Sequence, residues 1–96
     1  MNNIVLIGAG GHCKSVIDVI EAEGRFKIAG ILDKHELLGT KTLGYSVFGI
    51  DDDMPKLAQK YKYALITVGQ IKSPSLRIRL FNLAVKSGFI LPPIIS

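Results

Sequence analysis

An α/β fold with an open parallel sheet follows from three features of this 96-residue sequence. The apolar, β-branched run Ile4-Val5-Leu6-Ile7 ends abruptly in a glycine turn, Gly8-Ala9-Gly10-Gly11. Helical periodicity begins directly after that turn, and strand-like and helix-like segments then alternate along the chain. Such alternation through short turns argues for parallel pairing with right-handed crossovers.

The elements follow in order. A continuous apolar run of this kind suits a strand buried on both faces of a parallel sheet. From His12 to about Glu23, Cys13, Val16, Ile17 and Ile20 recur at i, i+3, i+4 and i+7, with Lys14, Ser15, Asp18 and Glu21 largely away from them, and Gly24 stops the helix. Lys27 to Leu32 reads as a second strand with Asp33 at its carboxyl end. Between 34 and 50, Leu43 to Phe48, flanked by Gly39, Gly44 and Gly49, supplies one short strand or a small hairpin. Asp51-Asp52-Asp53 before Pro55 and Lys56 to Lys60 place acids at a helix start, where the dipole favours them. Three neighbours in sequence do not converge on a cation, so no metal is expected there.

Tyr63 to Val68 is the next strand, closed by Gly69. Ser73-Pro74 supplies an N-cap and first helical residue, and Leu76, Leu80, Leu83 and Ala84 mark the apolar stripe of a helix ending at Gly88. Phe89 to Leu91 forms a last short extended segment, and Pro92-Pro93 marks a boundary. The order is that of a small Rossmann-like sheet with helices on both faces.

Composition bounds the chemistry. With 48% hydrophobic and 21% charged residues, one packed domain is expected. The single cysteine, Cys13, forms no internal disulfide, which suits a reducing cytoplasm. The apolar run after Met1-Asn2-Asn3 is too short for a signal peptide or membrane span. The net charge of +4 is scattered, without a Lys/Arg block, so neither nucleic acid nor membrane is expected as a partner.

In open α/β sheets ligands bind beyond the carboxyl ends of the strands, where the connectivity reverses. Gly8 to His12, Asp33, and Gly69 to Lys72 all fall at such ends and should be neighbours in space. Gly8, Ala9, Gly10 and Gly11 allow a sharp turn and close approach, aiming backbone N–H groups and a helix N-terminus at an anion such as pyrophosphate. His12 either donates to a phosphate or sugar oxygen or is a satisfied helix-start residue. Asp33, about twenty residues on, either accepts from ribose hydroxyls or terminates its strand. Gly69 permits close approach, Gln70 and Lys72 offer donors, and Arg77 lies within reach of the same anion, whereas Arg79 points to solvent. Cys13 stands where the dinucleotide fingerprint has its third glycine, and reads as a packing residue. His35 reads as a surface residue.

Gly8-Ala9-Gly10-Gly11-His12-Cys13-Lys14 with Val16-Ile17-Asp18, then Ala29-Gly30-Ile31-Leu32-Asp33, Leu43-Gly44, Phe48-Gly49, and Val68-Gly69-Gln70-Ile71-Lys72-Ser73 with Arg77, together resemble one family. It is the amino-terminal domain of bacterial sugar O/N-acetyltransferases of the sialic acid O-acetyltransferase (NeuD) and pilin-glycosylation (PglD) type. The resemblance implies that residues 1–91 form a Rossmann-like domain binding a nucleotide sugar of the UDP-sugar type. It further implies that 92–96 begin a linker to a left-handed β-helix outside this chain. In the family that second domain binds acetyl-CoA, forms homotrimers and carries the histidine that acts as general base. Neither His12 nor His35 matches that histidine, so no catalytic residue and no cofactor are expected in this chain, and acetyl-CoA belongs to the longer protein.

Two other readings share the same residues. A short NAD(P)-binding domain has the same loop and strand-end acid, but normally needs a longer sheet for its second mononucleotide. An assembly module with an empty loop would use the apolar tail from Phe89 to Ile95 as its docking surface.

Overall fold

The computed structural model describes residues 2–68 and 74–93. Strands β1 (Asn2–Ile7), β2 (Phe26–Leu32), β3 (Lys41–Thr42), β4 (Tyr45–Gly49) and β5 (Tyr63–Ile66) form one sheet in the order β3-β4-β2-β1-β5. β1 pairs in parallel with both β2 and β5, and β2 in parallel with β4, while β3 is antiparallel to β4. Helices α1 (Gly11–Glu23), α2 (Met54–Lys60) and α3 (Pro74–Ser87) complete the domain.

β1 is central because its side chains from Ile4 to Ile7 have no polar face to spare. Ile4 and Leu6 pack with Cys13, Ile17 and Ile20 of α1, while Val5 and Ile7 pack with Met54, Leu80 and Ala84 of α2 and α3. A strand that alternates between two apolar layers has to be covered on both sides, and helices of opposite faces supply the cover. All four of these β1 residues are buried.

The segment between β2 and α2 resolves into the hairpin alternative. Leu43 and Gly44, with φ of 50° and 88°, form the two-residue turn between β3 and β4. Positive φ at both central residues is the type I′ pattern that matches the right-handed twist of paired strands. Behind it the Phe48 ring lies so close to Gly30 that an added Cβ there would stand 2.8 Å from a ring carbon.

Four features differ from expectation. Residues Asp51–Asp53 form a 3-10 turn of their own before α2, because the Asp53 carboxylate reaches back to the Ile50 N–H at 2.9 Å. β5 ends at Ile66, since Thr67 turns its hydroxyl toward the glycine loop. Leu76 is 46% exposed at the start of α3, while Leu80 and Ala84 of the same stripe are buried. Phe89 is buried in the core rather than forming part of an exposed tail, and Ile90 bridges to Tyr63 beside β5. Ile71 and Ser73, the expected N-cap, and Ile94-Ile95 lie outside the described residues.

Candidate functional site

The connectivity reverses at β1: β2 and β4 lie on one side of it and β5 on the other. The glycine loop leaves β1 at that switch point and enters α1 directly. Its first half is tied down. The Gly8 N–H donates to Leu32 O at 2.8 Å, the Ala9 N–H donates to Asp33 Oδ2 at 2.7 Å, and Thr67 Oγ1 donates to Gly8 O at 2.5 Å. Gly8 has φ of +121°, and a Cβ there would stand 2.6 Å from Val68 Cγ1. Only glycine fits such a position.

The second half is open. Gly10 has an extended backbone and no side-chain cap, and nothing lies within 4 Å of where a Cβ would sit on Gly10 or Gly11. The N–H groups of Gly10, Gly11 and His12 have no hydrogen-bond partner among the described residues, and α1 carries no acid in its first turn. The N-terminus of α1 therefore carries no acid of its own and faces outward with free donors.

Two depressions flank the loop. On the α1 side a groove of about 220 Å³ is lined by His12, Ser15, Val16, Leu65 and Arg77 among others. Neither His12 nor Arg77 has an ionic or hydrogen-bond partner among the described residues, so this groove presents uncommitted donors over an apolar floor. On the opposite side a smaller cavity of about 90 Å³ is lined by Gly8, Asp33, Lys34, Asp51, Leu76 and Arg79 among others. Here the charges are opposed: Arg79 stands 3.7 Å from Asp51. Burial pushes the Asp51 carboxyl above its ordinary value, Arg79 opposes that shift, and Asp33 and Asp52 add to it.

The expected site residues thus divide. Gly8 to His12 and Asp33 come together as predicted, and Arg77 joins His12 at one groove. Gly69, Gln70 and Lys72 lie outside the described residues. Both oxygens of Asp33 are engaged by backbone, Oδ2 by Ala9 N–H and Oδ1 by Lys34 N–H, each at 2.7 Å. Arg79, expected in solvent, reaches Asp51 across the second cavity while remaining largely exposed. Cys13 packs against β1 as expected, and burial raises its thiol pKa above the ordinary 9.0, partly opposed by a hydrogen bond with Thr67.

Sequence reading missed Thr67 and Thr42. Thr67 is fully buried, and Thr42 Oγ1 approaches Ala9 O at 3.4 Å. The available signal at both positions was a hydroxyl residue two positions before a glycine, Thr67 before Gly69 and Thr42 before Gly44.

A parallel sheet whose switch point carries an open helix N-terminus, with donors at the rim, defines a Rossmann-like domain suited to an anionic ligand. The chain belongs to the PglD N-terminal domain family, whose sequence profile matches residues 3–83. A comparison with curated proteins finds no match. Among solved structures the chain is similar to PerB from Caulobacter crescentus, solved in complex with CoA and GDP-perosamine. Identity to PerB is 31% and the TM-score 0.84, over 100% of this chain and 43% of that one. It is also similar to the acetyltransferase domain of PglB from Neisseria gonorrhoeae FA1090, at 28% identity and a TM-score of 0.83, over 100% and 45% of the two chains. The chain therefore spans less than half the length of either. RSP, in complex with beta-NAD+ and operator DNA, shares the fold alone, at 18% identity and a TM-score of 0.69 over 100% and 46% of the two chains. No described helix is long and apolar enough to cross a membrane.

Proposed function

We propose that this domain holds the nucleotide end of a nucleoside-diphosphate sugar for a bacterial sugar acetyltransferase. The observation that carries the reading is the open half of the loop. Gly10 and Gly11 have no steric need to be glycine, yet they leave three backbone donors bare at a helix N-terminus. Close approach of a diphosphate accounts for both facts. Similarity to PerB, which was solved with GDP-perosamine and CoA, supports it.

In this reading His12 and Arg77 supply donors beside the phosphates, with Gly69, Gln70 and Lys72 contributing from the β5–α3 connection. The base follows from the parent enzyme, UDP-linked sugars being the type expected from the family resemblance. Acetyl-CoA and the base that deprotonates the sugar amine or hydroxyl belong to the rest of a cytoplasmic, homotrimeric protein. The acyl group passes directly from thioester to sugar there, with proton removal by a positioned base.

Thermal-shift titration of this chain tests the reading with UDP-sugars, GDP-sugars, CMP-sialic acid, NAD and acetyl-CoA. A ligand at a hundred times its Kd stabilises the folded state by about 2.7 kcal/mol. Stabilisation by one or more nucleotide sugars is expected. A response to NAD alone would replace this reading with a dinucleotide domain, and a response to acetyl-CoA would contradict the division of labour between domains.

A further inference from the structure

The Gly8–Ala9 peptide unit is gripped at both ends by side chains from separate strand ends. Its carbonyl oxygen accepts from Thr67 Oγ1, following β5, and its N–H donates to Asp33 Oδ2, following β2. Gly8 O and Ala9 N belong to one planar group, so fixing both fixes the orientation of the whole plane. Thr67 is fully buried, and its own N–H donates to Ile7 O at 2.9 Å. A single buried residue therefore ties the end of β5 both to β1 and to the loop. Thr42 Oγ1 stands 3.4 Å from the next carbonyl, Ala9 O.

We propose that Thr67 and Asp33 are positioning residues. By locking the Gly8–Ala9 peptide plane they withdraw the Ala9 N–H from the ligand and aim those of Gly10, Gly11 and His12 at its phosphates. The inference rests on the reading of this loop as the diphosphate site and assigns the cradle within it. It also gives the strand-end acid a different task from the ribose contact expected of it. A carboxylate suits that task because both partners, Ala9 N–H and Lys34 N–H, are donors. An asparagine offers only one acceptor, so its amide nitrogen would confront one of the two N–H groups.

Amide hydrogen exchange of the unaltered chain, with UDP as the probe, tests the assignment without a variant. In the free protein the Ala9 amide exchanges at least tenfold more slowly than those of Gly10, Gly11 and His12. UDP slows the latter three and leaves Ala9 unchanged. Ala9 exchanging as fast as Gly10, or Ala9 being the amide that UDP protects, overturns the proposal. If neither UDP nor GDP alters any amide, the diphosphate reading fails and the assigned cradle falls with it; Ala9 protection then reports separately whether the clamp exists.

Thr67→Val, which replaces the hydroxyl by a methyl group, is expected to weaken UDP binding at least tenfold in protein that is still fully folded. Thr67→Ser restores affinity to within about threefold. A merely structural threonine would lower the denaturation midpoint and leave the affinity of the folded protein alone, and that result sinks the positioning role. Should Thr67→Val fail to fold, Asp33→Asn is measured in its place, with the same expected loss and the same overturning result.

Discussion

Gly8–Ala9 and Gly10–Gly11 are adjacent glycine-bearing pairs in one turn, yet they are held by opposite constraints. At Gly8 the backbone lies at φ of +121° against Val68, and the peptide that follows is bonded at both ends. At Gly10 and Gly11 there is open space and there are bare donors. The first pair serves the fold, and in the proposed function the second serves a ligand. A glycine motif read from sequence merges the two, since glycine is the answer both to a forbidden dihedral and to a close approach.

The largest way to probe that contrast is Gly8→Ala. The dihedral and the contact with Val68 together are expected to cost about 2–5 kcal/mol, measured by urea denaturation. A change below 1 kcal/mol would erase the distinction between the two pairs. Gly10→Leu should behave in the reverse manner. Stability stays within about 1 kcal/mol, because the side chain enters open space, while stabilisation by a nucleotide sugar is lost. Equal losses of stability at the two positions would show that the whole loop is structural.

Cys13 tests how firmly the clamped half is sealed. Burial raises its pKa above the ordinary 9.0, so the folded thiol keeps a proton that the unfolded one loses. The folded state then binds more protons in the window just above 9.0, and stability falls as pH rises through it. Urea midpoints should decline above pH 9 in the wild type, and that part of the slope should vanish in Cys13→Ala. Reaction of the native thiol with a disulfide reagent near neutral pH should be slow and limited by opening.

The smallest effect is expected in the hairpin turn. Leu43 has φ of 50° in the hairpin turn and is exposed. Leu43→Asn is expected to stabilise by about 0.5–1 kcal/mol, since asparagine tolerates the left-handed region better. Thermal melting measures this, and a gain well below the Gly8 penalty is expected.

Much of the fold was legible because it depends on local pattern. The run Ile4 to Ile7, the spacing of Cys13, Ile17 and Ile20, and the stop at Gly24 each carry their own signal, and the two elements they define stand where those signals put them. The hairpin was less legible, because β3 is two residues long and its turn uses a leucine where asparagine or glycine is usual. Asp51 was read as a helix-start acid. Its position after β4, beside Asp33 after β2, follows only once that hairpin is known.

The sequence by itself determined an α/β order of elements, a glycine turn before a helix, and an acid at the end of the second strand. These are consequences of hydrophobic periodicity and of backbone chemistry within a few residues. Only the tertiary structure decided what the acid and the threonine do. Asp33 and Thr67 lie 24 and 59 residues from their partners in the loop, and hydrogen bonds across such separations are fixed by strand order. The parallel placement of β2, β1 and β5 brings their carboxyl ends together, and that placement turns a permissive stretch of glycines into a loop with one closed half and one open half.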